Sequence, residues 1–232
     1  MDVSSDPALT HLMAVDLGFH CPLDSHVNSE TAVIMETARV IASGGVVALP
    51  TDTLYGLAVD PCNPTAVERL FQIKRRHPSR PISLLISDRA MLREWVSEVT
   101  PAAARLMEIF WPGPLTLIFK GTAPQERLTA GTGTIAIRLP DDPFLVRLIN
   151  ALGRPITATS ANISGGPDLH SAQEVLSILG EGVDLIIDGG IRDGLSSTLV
   201  DVTGTTPTLV RPGAVPISSL SPYFSVIETK GV

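Results

Sequence analysis

The chain has 232 residues, 44% of them hydrophobic and 18% charged, a composition that supplies an ample core and excludes a wholly disordered protein. Its net charge of −7 excludes the broad basic face that sequence-blind nucleic-acid binding needs. Two cysteines far apart, Cys21 and Cys62, exclude a disulfide framework, and neither a secretory leader nor an apolar run of roughly 20 residues is seen, so a cytoplasmic protein with no membrane association is expected.

Residues 1–28 show no sustained period and read as an N-terminal arm, either loose or carrying a short added strand. Asn28 or Ser29 caps a helix with Ile34, Ala38 and Ile41 on one face, stopped by Gly44-Gly45. Strand 46–49 runs into Pro50-Thr51-Asp52-Thr53-Leu54-Tyr55-Gly56-Leu57. Asn63-Pro64 opens a helix that buries Val67, Leu70 and Phe71, and its end releases Lys74, Arg75, Arg76 and Arg80 into a Pro-containing loop. Ile82–Ile86 reads as a strand, and Asp88 caps a helix with Met91, Leu92, Trp95 and Val96 inside. Thr100-Pro101 opens the next, ended by Trp111-Pro112-Gly113-Pro114. Leu115–Phe119 and Thr134–Leu139 are strands. In the second, Ile135, Ile137 and Leu139 alternate with Thr134, Ala136 and Arg138, giving a core face and a polar face. Helix 143–152 and strand 155–159 follow, then a capping box, Ser171-Ala172-Gln173-Glu174, before Val175, Leu176 and Ile178. Strands 184–187, 197–202 and 207–211 complete the domain, 29–215, and 216–232 form a C-terminal tail. Interleaved helices and strands, with the last strands lacking helices between them, predict one α/β domain with a mixed sheet.

Four places carry residues suited to chemistry. Thr51 and Thr53 follow a buried strand, where α/β sheets hold ligands, and either bond a ligand or form a turn that only reverses the chain. The cations from Lys74 to Arg80 are either a solvated helix C-terminus or an anion site with forked Arg contacts and a point-charge Lys contact. Arg138, on the polar face of an apolar strand, requires a carboxylate partner or an anionic ligand. The run from Thr157 to Gly166, rich in hydroxyls and glycine, either aims N–H groups at an anion or is an ordinary turn. Ser196-Ser197-Thr198 and Arg211-Pro212-Gly213 repeat the pattern. No Walker A, HExxH or GxSxG occurs, and the five histidines lack ligand spacing, so no protein-bound metal is expected; His77 alone lies beside the cations.

Taken in order, these segments, with Trp111-Pro112-Gly113-Pro114-Leu115-Thr116 and Arg138-x-Pro140, resemble the YrdC family over about residues 30–215. The resemblance implies a twisted mixed α/β sheet flanked by helices with a concave positive groove. It implies synthesis of L-threonylcarbamoyladenylate and pyrophosphate from L-threonine, bicarbonate and ATP with Mg2+, for t6A modification of tRNA. Lys74, Arg76, Ser160 and Asn162 match the family's KxR…SxN signature around ATP, with Lys74 and Arg76 as the catalytic cations and Arg80 beside them. Thr134 and Arg211 fall where the nucleotide is contacted. Thr53, Arg138 and Ser197 fall where threonine is held, with Arg138 on its carboxylate and small Ala158 leaving room for its methyl. On this reading Lys74→Ala and Arg76→Ala both cut adenylate formation far more than stability. The chain ends soon after Arg211-Pro212-Gly213, so it resembles the short form without the longer members' second domain. Implied partners are the substrates and, transiently, the downstream t6A transferase machinery, with tRNA binding weak or absent. The alternatives are a HypF-like carbamoyl-adenylation paralogue, whose usual acylphosphatase and zinc-finger neighbours are not seen, and a non-catalytic RNA-binding module.

Overall fold

The computed structural model describes residues 11–14, 30–122, 126–221 and 228–229. The strands are β1 (His11–Ala14), β2 (Val47–Pro50), β3 (Tyr55–Ala58), β4 (Ser83–Leu85), β5 (Leu115–Lys120), β6 (Thr134–Arg138), β7 (Ile156–Ser160), β8 (Leu185–Asp188), β9 (Thr198–Asp201), β10 (Thr208–Arg211) and β11 (Glu228–Thr229). They form one sheet in the order β1-β8-β2-β3-β7-β4-β6-β5-β9-β10-β11. It is mixed: β4 lies parallel to β6 and β9 to β5, while β3, β7 and β4 are antiparallel neighbours. The helices are α1 (Glu30–Ala42), α2 (Pro64–Ile73), α3 (Leu92–Trp95), α4 (Pro101–Phe110), α5 (Glu126–Thr129), α6 (Pro143–Leu152), α7 (Ala172–Leu179) and α8 (Ile217–Leu220). No described helix is long and apolar enough to cross a membrane.

The helix starts follow from local chemistry. Asn63 accepts from the Thr65 and Ala66 N–H groups, and Pro64 occupies the first turn of α2, where a missing N–H is harmless. Thr100, Asp142 and Ser171 cap α4, α6 and α7 in the same manner, and left-handed Gly153 ends α6. The expected cap of α1 at Asn28 or Ser29 lies outside the described residues.

The structure departs from the sequence reading at several elements. Strand β3 was not expected, because Tyr55, Gly56, Leu57 and Ala58 are all buried and so show no alternation. The helix expected after Asp88 is a 3-10 turn, Arg89–Met91, leading into the single turn of α3. The capping box at Ser171 is displaced: Glu174 accepts from the His170 N–H rather than from Ser171, and Ile178 is exposed. Helices α5 and α8 were not read, and within the stretch taken as a tail β11 pairs with β10. On β6 the polar face is buried as well as the apolar one, with Arg138 only 5% exposed.

The side chains on the two faces of the sheet form two cores. Helices α2, α3, α4 and α7 pack against one face through Val67, Leu70, Trp95, Leu106 and Val175, meeting Leu84, Leu117 and Ile137. On the other face α1 and α6 cover only part of the sheet, where Ile34, Ile41, Leu145 and Leu148 meet Val47, Leu49, Leu85 and Ile156. Among the described residues no helix other than these two packs on that face, and beyond them it forms the floor of a cleft.

Candidate active site

Strand register gathers the floor. Gly56 of β3 sits opposite Ser160 of β7, Ser83 of β4 opposite Ala158, and Leu85 opposite Arg138 of β6. Because side chains alternate between faces, these residues all face the same way, and with Thr116 of β5 they line one cleft. About 790 Å³ of space lies between its walls, counting the open mouth. Thr51, Thr53, Arg76, Ser196, Ser197 and Arg211 close the sides.

At one end stands Arg138. It pairs with Asp52 through Nη2, donates from Nη1 to Thr53 Oγ1 at 3.1 Å, and donates from Nε to the Gly113 carbonyl at 3.1 Å. A guanidinium has five N–H donors, so one hydrogen on each Nη remains. The carboxylate-partner reading of Arg138 therefore holds, since it is half of a buried ion pair, and two N–H hydrogens are left over on a side chain that lines the cleft. The Thr51–Leu54 turn is held within itself, since Thr51 Oγ1 donates to the Leu54 carbonyl at 2.7 Å and accepts the Thr53 and Leu54 N–H groups. Thr53 Oγ1 stays on the cleft wall, 2.9 Å from Thr51 Oγ1.

The other end is made by Arg76 and Arg211. Arg76 donates to the carbonyls of Arg80 and Pro81, and Arg211 to the Ser197 carbonyl at 2.9 Å. These acceptors are neutral. Burial, then repulsion from Arg80 and Arg211, lowers the pKa of Arg76, and burial also lowers that of Arg211 against an opposing pull from Asp168. A half-buried Arg76 and an exposed Arg211 whose hydrogen bonds end on neutral oxygens favour an anion between them. Gly213 lets the Arg211 turn close on the Ser196–Ser197 backbone: a Cβ there would lie 2.2 Å from the Ser196 carbonyl oxygen.

The remaining site residues divide into lining and supporting groups. Ser160 and Ala158 line the cleft. Lys74 does not. It is 1% exposed, and its ammonium donates to the carbonyls of Ser160 and Asn162 and, at 3.0 Å, to Asn162 Oδ1. All three of its donors are engaged, so it braces the Ser160–Asn162 turn from behind. Burial, then the Arg76 charge, pulls its pKa from 10.5 to about 7, opposed by Asp168. Asn162 is buried too, accepting from Ser160 Oγ at 2.8 Å and donating to the Gly166 carbonyl at 2.9 Å. Arg80 is exposed and contributes its carbonyl to Arg76. Thr134 sits at the far end of β6 from Arg138, its hydroxyl 2.8 Å from that of Thr132. His77 is exposed and bonds Ser79.

Sequence reasoning missed Ser83 and gave Thr116 and Tyr55 no role. Tyr55 is 1% exposed and its hydroxyl donates to the Gly190 carbonyl at 2.8 Å and accepts the Gly189 N–H at 3.1 Å, tying down the segment that leads to Ser196. Thr116 stood inside a recognised motif, but its hydroxyl partner lies on a distant segment.

Residues 39–213 match a family model, that of Sua5, YciO and YrdC, described as Telomere recombination. A threonylcarbamoyl-AMP synthase of Pyrococcus abyssi is 38% identical over 193 residues, which are 82% of this chain and 57% of the relative. One of Bacillus subtilis is 38% identical over 185 residues, 78% of this chain and 54% of the relative. The chain thus spans a little over half the length of these curated relatives. The solved structure of P. abyssi Sua5 complexed with L-threonine superposes with a TM-score of 0.86 at 34% identity, covering 95% of this chain and 63% of the other. The mixed α/β fold is shared with the superposed Sua5 structure, and the chain belongs to the Sua5/YciO/YrdC family.

Proposed function

We propose that this chain is a threonylcarbamoyl-AMP synthase, a nucleotidyltransferase that uses L-threonine, bicarbonate and MgATP. The observation that carries the reading is one cleft with two chemically different ends. Arg138, with two unused N–H groups beside Thr53, suits an amino-acid carboxylate. Arg76 and Arg211, whose hydrogen bonds end on neutral oxygens, suit phosphates. The known binding of L-threonine by a solved relative supports the first assignment.

The reaction then runs as two bond exchanges. The threonine nitrogen gains the bicarbonate carbon with loss of water. The resulting carbamate oxygen attacks the α-phosphorus of ATP as the bond to the β-phosphate breaks, and pyrophosphate leaves. Such a transfer needs positioning and charge neutralisation more than a protein nucleophile. Arg76 and Arg211 neutralise the phosphates, with Mg2+ arriving on them and held by phosphate oxygens and water. Ser160 reaches the nucleotide, Lys74 and Asn162 shape the turn that presents it, and Arg80 orients Arg76. Thr134 shares the polar face of β6 with Arg138, in line with a nucleotide extended along that strand. The product serves t6A modification in the cytoplasm, passed transiently to a transferase, with tRNA bound weakly at most.

Incubating the purified chain with L-threonine, bicarbonate and MgATP should yield the adenylate by mass, together with pyrophosphate; absence of both removes the reading. In the same assay threonine should outcompete serine by roughly 10–200-fold, the discrimination one methyl allows in a pocket floored by Ala158. Valine should do worse than serine, since it leaves a site hydrogen bond unmade. Valine turned over as well as threonine would show that the hydroxyl is not read.

A further inference from the structure

The segment Trp111–Thr116 lies outside the assignments above, yet it touches both sides of the amino-acid end. Its Gly113 carbonyl accepts from Arg138 Nε at 3.1 Å, and its Pro114 carbonyl accepts the Thr198 N–H at 3.0 Å. Trp111 is buried and its indole N–H donates to the Leu115 carbonyl at 2.6 Å, fixing the turn. Thr116, 3% exposed on the cleft floor, places its Oγ1 2.8 Å from Ser197 Oγ. Arg211 Nη2, which belongs to the phosphate end, lies 3.4 Å from the same Ser197 Oγ and 2.9 Å from the Ser197 carbonyl. A continuous chain, Thr116 to Ser197 to Arg211, thus joins the two ends of the cleft.

The donor inventory gives this chain a direction. Arginine only donates, so Ser197 Oγ is an acceptor toward Arg211. If Thr116 also donates, both lone pairs of Ser197 are taken and its hydrogen is left for a ligand oxygen. If Ser197 donates to Thr116 instead, that hydrogen is lost to the ligand. A carboxylate at Ser197 and an anion that steadies Arg211 both favour the first arrangement.

We propose that Thr116 is a positioning residue that couples the two substrate ends: its hydroxyl, with Arg211, presets Ser197 to donate to the amino acid, so that ATP and threonine each tighten the other's binding. The inference rests on the functional reading above. Coupling of this kind is reciprocal, and factors of roughly 5–150 are typical.

The test is calorimetric titration of the full chain with L-threonine, with and without a non-hydrolysable ATP analogue, for the wild type, Thr116→Val and Thr116→Ser. The wild type should bind threonine more tightly with the analogue present. Thr116→Val, which keeps the shape and removes the hydroxyl, should weaken threonine alone by roughly 2- to 10-fold, the worth of one neutral hydrogen bond. It should also bring the ratio of affinities with and without analogue to about one. Thr116→Ser should restore the ratio. A merely structural role would lower thermal stability and both affinities but leave the ratio unchanged. A wild type that binds threonine with no ratio above one, or a Thr116→Val protein that keeps the wild-type ratio, overturns the coupling while leaving the functional reading intact. A wild type that binds no threonine at all overturns that reading and this inference together.

Discussion

Arg138→Lys should raise the threonine concentration needed for half-maximal adenylate formation by roughly 10- to 150-fold, with a much smaller change in the ATP requirement. The range is one charge-assisted hydrogen bond, about 1.5–3 kcal/mol, converted at about 1.36 kcal/mol per tenfold. The physical reason is geometric. The guanidinium serves Asp52, Thr53 Oγ1 and the Gly113 carbonyl at once and still has a hydrogen on each Nη for a ligand. An ammonium has three hydrogens on one atom and cannot fork. Lysine still leaves Asp52 a cation, so the fold should hold. Arg138→Ala is the contrasting variant: it leaves a carboxylate only 13% exposed without its partner, a loss of about 3–5 kcal/mol in stability. Steady-state kinetics with a thermal melt separates the two effects. A well-folded Arg138→Lys protein with an unchanged threonine requirement would reduce Arg138 to its ion pair.

Lys74→Met should act first on the fold, whereas Arg76→Ala should act first on ATP. Lys74 is wholly enclosed and donates to three oxygens of the Ser160–Asn162 turn. Methionine fills the space but strands those acceptors, each worth about 1–3 kcal/mol when buried unpaired. At pH 8 the amine is mostly neutral and carries two hydrogens, so two of these bonds are lost, and with partial relaxation the loss should be roughly 1–4 kcal/mol, read from urea unfolding. The effect depends on pH, and its sign follows from the pKa. Lys74 titrates near 7 in the folded chain and near 10.5 when unfolded. Between those values the unfolded chain holds more protons, so this group makes the wild type more stable as pH rises from about 7. Below 7 both states are protonated and the buried charge opposes folding in full. The gap between wild type and Lys74→Met should therefore be smallest at pH 6 and widen toward pH 9. A gap that narrows with rising pH would contradict a Lys74 pKa lowered by burial. Arg76, by contrast, is half-exposed at the cleft, so Arg76→Ala should leave the melt nearly unchanged while raising the ATP requirement.

Local sequence signals were sufficient wherever one face of an element is apolar and its end is marked. Asn63-Pro64, Thr100-Pro101 and Ser171 announced their helices because a cap satisfies orphan N–H groups within the same few residues. The alternation of Ile135, Ile137 and Leu139 with Arg138 told which side of β6 is polar, and the motif order told the family. Strand β3 was illegible because a strand buried on both faces has no period to read. The polar face of β6 lines the cleft, but its enclosure of Arg138 is made by Asp52, Thr53 and Gly113 from other segments. Lys74 and Arg76 look alike in sequence, two cations at one helix end. Packing of the Ser160–Asn162 turn over the first alone separates a brace from a cation on the cleft wall. The link from Thr116 through Ser197 to Arg211 is likewise set by the registers of β5, β9 and β10, contacts between residues far apart in the chain that no local pattern encodes.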